Sequence, residues 1–534
     1  MTAVPMPRPG GFQRLRRLRF LPPLAVVLVL WTVAALLLAP IRVVPTPWAV
    51  ATAWIGDLSI WPVNILATLR NAAIGYVAGN ALAIVLAVVF VRVEWAERVL
   101  MRVAVVTFCV PLVAITPILT VLFPDDVPKQ ILAAISVFFT TLVACVLGLR
   151  SVSSTMIDLV RSMGGTEGEI LRRTRVKAML PSLFAGLQIA APAAVLGTIL
   201  GEYLGANEGL GVLLVQAQSA FQIPRAWGVA FTMAALAGVV YWGTGRVGAL
   251  LTPWVGKEVS TAVGQDIQAE AGLATARNAG SAVLGLLGSI AVVVAVWWGV
   301  IAAFGLSPYF AKTPVDVLGY LLSDSEAAAN RSVILDGLLI TLRDAGLGYV
   351  VGTVLASGIA VLIVSSAGAE RFVMPIAIVM RSIPIVAMTP LLALVFGRGL
   401  GGVTVIVTLV TFFPTLVTVA TALRSTPALA CDVVLSMGGS TAQVMTRVRL
   451  LYAIPALFAA ARVAVPGAVA GATLAEWLAT GEGLGSMLVQ DYAASRFDAL
   501  WSESVVIVGV SVLLYGGIGL VERAVTKRFE MRGR

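Results

Sequence analysis

The sequence has 534 residues, of which 59% are hydrophobic and only 12% charged, and its formal net charge at pH 7 is +10. Soluble domains carry about a quarter of charged residues, so this composition excludes an ordinary water-soluble fold. The chain contains no histidine and three isolated cysteines, Cys109, Cys145 and Cys431. We therefore expect neither a metal site nor a disulfide, and we expect the cysteines to be buried small residues.

Apolar stretches of about 20 residues recur along the chain, and each is long enough to cross ~30 Å of hydrocarbon as a helix. They predict an all-α, polytopic membrane protein with about twelve transmembrane helices, six in each half. The predicted spans are 21–40, 67–91, 99–123, 131–150, 183–205 and 227–251 in the first half, and 282–304, 337–364, 372–397, 403–423, 457–478 and 501–521 in the second.

The second half of the chain repeats the first. Residues 68–79 read TLRNAAIGYVAG and residues 341–352 read TLRDAGLGYVVG, and further matches continue at an offset of 274 positions. Six spans per repeat is an even number, so the two repeats insert in the same sense. We predict a first half over 1–251, a cytoplasmic linker over 252–280 and a second half over 281–534.

The distribution of basic residues predicts the orientation in the membrane. Arginines and lysines cluster at both termini and in the loops on one side, whereas the loops on the other side carry more acids. By the positive-inside rule, both termini of this multi-pass protein are cytoplasmic. The net positive charge then reflects topology, and we expect membrane lipids rather than nucleic acid as its partners.

A polar loop with a helix–Gly-Gly–helix pattern, which we call the elbow, lies between the fourth and fifth spans of each half. In the first elbow, Thr155 and Asp158 predict a capped helix that stops at Gly164-Gly165, and a second helix restarts at Thr166 with Glu169 completing a capping box. Two elbows in the same register indicate a shape presented to a partner. The alternative is a solvated connector that only joins two spans.

The second elbow keeps the plan and changes most of its side chains. Its first helix starts after Thr426-Pro427 and carries Asp432, the break is Gly438-Gly439, and Ser440 with Gln443 forms the restart box.

The third span of each half contains two prolines six residues apart, which predicts kinked helices. Such breaks are tolerated where a span faces protein or a water-filled cavity. We therefore predict that these spans line the solute path, and simple packing kinks are the alternative. The residues concerned are Pro111, Thr116 and Pro117, then Pro384, Thr389 and Pro390.

Three charged residues within the predicted spans are further candidates for a site. Arg381 lies near the membrane midplane, where a fixed cation favours an anionic solute; an interhelical ion pair or a snorkelling side chain is the alternative. Glu202 and Glu476 lie near the outer ends of the fifth spans, just before Gly-rich turns. They either flank an outer gate or cap and pair locally.

The elbows resemble the EAA loop of the inner-membrane permease subunits of binding-protein-dependent ABC importers. Asp158 and Asp432 stand where that family has its glutamate, Gly164 and Gly438 match its glycine, and Pro181 and Pro455 match its last proline. The Ala-Ala pair of the family is replaced by Leu-Val and by Val-Val. The resemblance implies that Asp158, Gly164, Gly165, Glu169, Asp432, Gly438, Gly439 and Gln443 contact a partner ATPase.

Further stretches resemble the nitrate, taurine and alkanesulfonate branch of this family. They are Gly201–Gly211, Ala475–Gly485 and Arg381–Ala387. The resemblance implies import of a small, anionic solute such as nitrate, a sulfonate or taurine, although related permeases resemble carriers of thiamine-precursor pyrimidines. It also implies two ABC ATPase subunits and a periplasmic or lipid-anchored solute-binding protein as partners.

The sequence itself contains no Gly-x-x-x-x-Gly-Lys-Ser/Thr loop for a nucleotide. We therefore expect a permease that is not an enzyme and has no cofactor of its own, with ATP bound by the partner subunit. A secondary carrier with two parallel six-helix halves is the main alternative. A channel or a scaffold is a further alternative, but neither a channel nor a scaffold requires two elbows.

Overall fold

The computed structural model describes residues 21–41, 43–254, 279–366, 368–370, 372–374 and 385–530. These residues form helices and turns, with no strand among them. Most of the predicted linker, 255–278, lies outside the described residues, as do Arg381 and Pro384. An all-α membrane fold was predicted from the apolar stretches, and the helices confirm it.

The described part of the first half contains ten helices besides a short 3₁₀ turn at Ala39–Ile41. They are α1 (Leu21–Leu37), α2 (Pro47–Gly56), α3 (Trp61–Arg92), α4 (Glu94–Cys109), α5 (Leu112–Leu122), α6 (Val127–Arg150), α7 (Ser154–Ser162), α8 (Glu167–Tyr203), α9 (Leu210–Ser219) and α10 (Ile223–Leu251). Helix α8 includes a π-helical stretch at Ile170–Arg175. It packs between α6 and α10 and is therefore the central helix of this half.

The described part of the second half repeats this order. It contains α11 (Ala279–Ala303), α12 (Pro314–Ser323), α13 (Ala327–Ser365), α14 (Ile385–Phe396), α15 (Leu400–Arg424), α16 (Ala428–Ser436), α17 (Thr441–Thr480), α18 (Gly483–Ala493) and α19 (Phe497–Glu530). Helix α17 corresponds to α8 and packs between α15 and α19. It carries π-helical stretches at Met445–Arg449 and Glu476–Thr480.

Eight of the described helices are long and apolar enough to cross a membrane, or nine when α4 and α5 are counted as one bent span. The first predicted span of each half coincides with α1 and α11, and 372–397 is described only in part. The predicted total of about twelve spans is therefore compatible with the fold, while the count beyond nine stays a prediction.

The third span of the first half differs from its prediction as a single kinked helix. Helices α4 and α5 are separate and meet at an angle of 94°. Val110 and Pro111 between them are extended, because a residue that precedes proline is pushed out of the helical region and proline has no N–H to continue the ladder. With 11 residues, α5 is about 17 Å long and too short to cross the bilayer alone.

Glycines at equivalent positions allow close contact between the second and fourth spans of each half. A Cβ on Gly75 of α3 would lie 2.4 Å from the Ala133 Cβ of α6, and a Cβ on Gly348 of α13 would lie 2.4 Å from the Val407 Cβ of α15. Such contacts between backbones are typical of membrane helices, where small residues raise the packing density. The repeat thus conserves the geometry of this helix pair within the chain.

We predict that Gly348→Val forces α13 and α15 apart and lowers thermal stability by about 1–3 kcal/mol, the usual cost of overpacking. Gly346→Val is the matched control, since a Cβ at Gly346 on the same helix meets nothing within 4 Å. Thermal unfolding of the purified variants in detergent measures the difference. Equal melting temperatures for the two variants would contradict this packing.

Candidate coupling elbows and midline gate

The first elbow joins α7 to α8 through a tight turn. Gly164 has φ of +82°, a left-handed conformation that favours glycine, and the Gly165 N–H donates to the Val160 carbonyl at 2.9 Å. Thr166 and Glu169 form the predicted capping box, with both reciprocal hydrogen bonds present. The turn and the restart of the helix are therefore confirmed as predicted.

The start of the first elbow helix was predicted wrongly. Ser153, not Thr155, is the N-cap: Ser153 is extended and its Oγ accepts from the Met156 N–H at 3.4 Å. Thr155 lies inside the first turn. Asp158 is exposed and faces Arg161, with 3.6 Å between the Oδ1 and Nη1 atoms, instead of completing a box.

The second elbow, between α16 and α17, has the same shape. Gly438 has φ of +79°, the Gly439 N–H donates to the Val434 carbonyl at 2.9 Å, and Ser440 with Gln443 forms the predicted capping box. The N-cap of α16 is Pro427 itself. The Thr426 hydroxyl donates back to the Leu423 carbonyl at 3.2 Å, so it does not cap the helix that follows.

Each elbow exposes large apolar side chains at equivalent positions. Met163 is 80% exposed and Met437 is 83% exposed, each directly before the first glycine of its turn. Leu159 and Val433 are also exposed, four residues earlier. Exposed apolar residues clustered next to a rigid turn are typical of a docking surface.

The charges on the two elbows differ. Arg161 of the first elbow donates to Glu167 Oε1 at 2.6 Å across the turn, and this hydrogen bond raises the pKa of the Arg161 guanidinium. The equivalent positions of the second elbow are Leu435 and Thr441. The repeat therefore conserves the shape and the apolar face but not this ion pair.

At the far end of α8, Glu202 holds the next turn in place. Its side chain is fully buried, and its two oxygens accept from the Gly211 N–H at 2.8 Å and from the Thr68 hydroxyl at 2.7 Å. The Thr68 hydroxyl in turn accepts from the Leu210 N–H at 2.9 Å. We call this glutamate–threonine–turn arrangement the clamp.

The clamp recurs in the second half with equivalent residues. Glu476 is fully buried, and its Oε2 accepts from the Gly485 N–H at 2.8 Å and lies 2.9 Å from the Thr341 hydroxyl. The Leu484 N–H donates to Thr341 Oγ1 at 3.0 Å. Both glutamates therefore cap local turns in this structure, and a role at an outer gate stays a prediction.

Glycine is required where the clamp touches the turn. Gly209 has φ of +130° and Gly483 has φ of +81°. A Cβ at Gly209 would lie 2.3 Å from Glu202 Cδ, and a Cβ at Gly483 would lie 2.4 Å from Glu476 Cδ. The Gly-Leu-Gly motif thus lets the backbone approach a buried carboxylate from both sides.

Next to the clamps, equivalent residues of the two halves meet each other. Tyr203 contacts Trp477, the residue 274 positions later, with 5.6 Å between the ring centroids, and Leu200 shares a cluster with its equivalent Leu474. This marks the pseudo-twofold axis between the halves. The cluster, which we call the midline cluster, consists of Leu112, Val113, Leu200, Tyr203, Ile385, Leu474, Trp477 and Leu478.

The midline cluster closes the space between the halves with apolar side chains. Val113, Leu200 and Leu474 within it are buried. The apolar contact between the halves at this level is therefore formed by residues near Glu202 and Glu476 and by α5 and α14, and the two carboxylates are not part of it. Comparison of the repeats could have found it, since an aromatic residue follows the glutamate in both halves.

The candidate path residues have packed surroundings. Thr116 and Thr389 are fully buried and donate to the carbonyls four residues earlier, at Leu112 and Ile385, with distances of 2.6 and 2.8 Å. Pro117 lies inside α5 and Pro390 inside α14, and Pro111 caps α5. A role of Arg381 and Pro384 in the path stays a prediction, as both lie outside the described residues.

Arg462 and Glu503 are among the buried charged residues that the sequence analysis missed. Arg462 on α17 is 3% exposed, pairs with Glu522 at 2.8 Å and lies 5.2 Å over the Tyr515 ring. Glu503 on α19 is 1% exposed. Their equivalents in the first half are Gln188 and Val229, so a comparison of charge between the repeats could have found them.

A polar cleft of about 780 Å³ lies at the clamp end of the first half. Within it, Asp126 accepts from Arg70 and, at 2.6 Å, from the buried Lys129. The Lys129 hydrogen bond lowers the pKa of Asp126 below its ordinary value. Across the described residues, no group of three or more His, Cys, Asp and Glu side chains could hold a metal ion.

Comparison with known families identifies the class of protein to which this arrangement belongs. The model of the binding-protein-dependent transport system inner membrane component matches the chain twice, over residues 79–260 and 348–527. The chain therefore belongs to this family and carries its domain in both halves. It is a permease component of an ABC transport system.

The relatives are named after different transported solutes. The formylaminopyrimidine transport permease protein ThiX of Halalkalibacterium halodurans is 29% identical over 235 residues, 43% of this chain and 94% of the relative. The riboflavin transport system permease protein RibX of Chloroflexus aurantiacus is 28% identical, covering 43% and 88%. The taurine transport system permease protein TauC of Escherichia coli is 26% identical, covering 45% and 88%. No solved structure matches the chain.

We predict that Gly483→Ala disrupts the second clamp far more than Gly481→Ala. The two glycines have nearly equal φ, +81° and +80°, but a Cβ at Gly481 meets nothing within 4 Å. Both variants carry a left-handed alanine, which costs about 1–2 kcal/mol. Only Gly483→Ala also displaces the Glu476 carboxylate, which adds about 1–3 kcal/mol.

The thermal stability of the two purified variants in detergent separates these contributions. A Gly481→Ala protein that melts as low as the Gly483→Ala protein would contradict the clamp, because backbone strain alone would then account for the loss.

Proposed function

We propose that this chain is the complete transmembrane pathway of an ATP-driven importer that moves a small solute into the cytoplasm by alternating access. The observation that carries the proposal is the placement of each elbow at one end of a long helix whose other end reaches the midline cluster. Helix α8 has 37 residues and α17 has 40. Each is about 55–60 Å long, which is more than the bilayer core requires.

The helices α8 and α17 act as levers between a motor and a gate. A displacement of the elbow moves the first residues of α8, and the same helix carries Leu200, Glu202 and Tyr203 at its far end. Drawing the two elbows together rocks the halves about their common axis. The contact between Tyr203 and Trp477 then separates or closes, which exposes a midline site to one side at a time.

The energy source is a pair of ABC ATPase subunits bound in trans. The sequence contains no nucleotide-binding loop of its own, and the two elbows offer two docking surfaces of the same shape. Met163 and Met437 fit apolar recesses on these partners, since methionine adapts to irregular surfaces. The different charges of the two elbows allow each to be recognised separately.

A solute-binding protein delivers the cargo at the clamp end. The elbows face the cytoplasm, as do both termini, because the basic loops lie on that side. The polar cleft beside Asp126 and Lys129 opens at the opposite end and offers charged groups to a soluble partner. The chain lies in the inner membrane and carries out no chemistry on its cargo.

The cargo is a small polar solute of one of two chemical kinds. An anion such as nitrate, a sulfonate or taurine is favoured by Arg381 in the third span of the second half and by the named taurine relative. A thiamine-precursor pyrimidine is favoured by the named formylaminopyrimidine relative. Binding of these solutes to the partner solute-binding protein distinguishes the two.

A secondary carrier is the competing function. Buried acids such as Glu503 are of the kind that carriers use for ion coupling. A carrier, however, needs neither the repeated elbows nor their exposed methionines. Uptake that persists in vesicles without ATP would favour the carrier.

We predict that the double variant Met163→Glu, Met437→Glu loses its ATPase partner, because a charge on each docking surface must be desolvated on binding. Affinity purification of the tagged chain from its own host, followed by measurement of ATP hydrolysis, tests this. We expect bound ATPase activity to fall by about tenfold or more. Tyr309→Glu, which places a charge on an exposed residue at the clamp end, is the control and should retain the activity. Full retention by the double variant would overturn the docking assignment.

A further inference from the structure

The break between α4 and α5 leaves a backbone carbonyl without a helical partner. Cys109 is the last residue of α4, and the extended Val110 and Pro111 place no N–H where the helix would supply one. The Cys109 side chain is 1% exposed, so this part of the backbone is also remote from solvent. An unpaired carbonyl in such a place is strongly unfavourable inside a membrane.

A hydroxyl group from the other half of the chain supplies the missing partner, and a second hydroxyl contacts α5 nearby. The Ser511 hydroxyl on α19 donates to the Cys109 carbonyl at 2.7 Å. The Ser504 hydroxyl, two turns earlier on the same helix, lies 2.9 Å from the Ala114 carbonyl of α5 and 2.8 Å from its own Leu500 carbonyl. Both serines are buried. We call this pair of contacts the serine latch.

Apolar packing around the latch places α5 within the second half. Ala114 and Ile118 of α5 belong to the same core cluster as Val469, Leu484 and Leu500 of α17, α18 and α19. Helix α5 also contacts α6 and α8 of its own half. A segment encoded in the first repeat is thus built into the core of the second repeat.

The serine latch has no counterpart at the equivalent positions of the first half. Ala237 and Ala230 of α10 stand 274 positions before Ser511 and Ser504, and alanine carries no hydroxyl. The two halves are therefore alike in their clamps and elbows but differ here. The last helix of the second half holds the third span of the first by hydrogen bonds that α10 cannot reproduce with these residues.

We propose that Ser504 and Ser511 are positioning residues that fasten the junction of α4 and α5 to α19, so that the end of α4 and α5 move with the second half during the transport cycle. The moving unit then differs from the sequence repeat, and the first half hinges at Phe123–Asp126, where α5 joins α6. The latch itself rests only on the observed contacts. Its motion with the second half rests on the proposed function. Because Leu112 and Val113 lie on α5, these two residues of the midline cluster also move with the second half.

The thiol of Cys109 provides a native probe of the latch. We would measure the rate at which N-ethylmaleimide modifies Cys109 in the full complex, in a Cys145→Ala, Cys431→Ala background, with and without a non-hydrolysable ATP analogue. Modification of a buried thiol reports the population in which the segment is open. The variants are Ser504→Ala with Ser511→Ala, and Ser502→Ala as the matched control, because the buried Ser502 hydroxyl donates only to its own helix at Asp498.

We expect the double alanine variant to label about tenfold faster than the Ser502→Ala control, since it loses both buried hydroxyls that contact the junction of α4 and α5. The unaltered complex should stay protected with and without the nucleotide analogue, because α5 and α19 move together. Ser504→Thr with Ser511→Thr keeps both hydroxyls and should restore the protection. This rescue separates the hydrogen bonds from a general loss of packing.

Equal labelling of the double variant and the Ser502→Ala control would overturn the latch. Deprotection of Cys109 in the unaltered complex by the nucleotide analogue would overturn the common motion of α5 and α19. If no ATPase copurifies, the proposed function fails, yet the comparison of variants without nucleotide still decides whether the hydroxyls hold α5.

Discussion

The constraint on which this structure depends is that every backbone N–H and carbonyl within the membrane needs a partner from the protein itself. The long helices satisfy it internally. The chain leaves the helical ladder at a few places, and there a buried side chain takes over: Glu202 and Glu476 accept from the turns after α8 and α17, and Ser511 donates to the Cys109 carbonyl. These side chains thereby decide where the membrane helices can bend and which segments they hold.

The clamp and the elbow occupy the two ends of the same helix, and this arrangement connects local structure to function. A carboxylate that holds the Gly-Leu-Gly turn also fixes the orientation of the adjacent aromatic residue, Tyr203 in one half and Trp477 in the other. The elbow at the opposite end is rigid because a left-handed glycine and a capping box define its turn. In the proposed transport cycle, this rigid connection transmits a displacement of the elbow to the clamp.

Local patterns in the sequence predicted the features that depend on local chemistry. The restart boxes at Thr166 and Ser440 involve residues three positions apart and were predicted correctly, and the apolar stretches correctly predicted an all-α membrane fold. The starts of the elbow helices were less predictable, because Ser153, Ser154 and Thr155 are three consecutive candidates for the N-cap within the local sequence.

Features that depend on distant residues could not be read from local sequence. The clamp at Glu202 requires Thr68, which is 134 positions away, and the partner of the Cys109 carbonyl is 402 positions away. The prolines of the third span predicted only a kink. The separation of α4 from α5 also needs a hydrogen-bond donor from the other half. The internal repeat was the most useful long-range signal, and the equivalent pairs Leu200 with Leu474 and Tyr203 with Trp477 follow from it once the axis is known.

The central claim is that two homologous bundles each present an elbow to a separate motor subunit. Electron cryomicroscopy of the chain purified from its host membrane with its bound subunits tests this claim most directly. The account predicts two ATPase subunits on one face, with Met163 buried in one of them and Met437 in the other. Elbows that lie free of any nucleotide-hydrolysing subunit, or that point to the face opposite the bound ATPases, would contradict it.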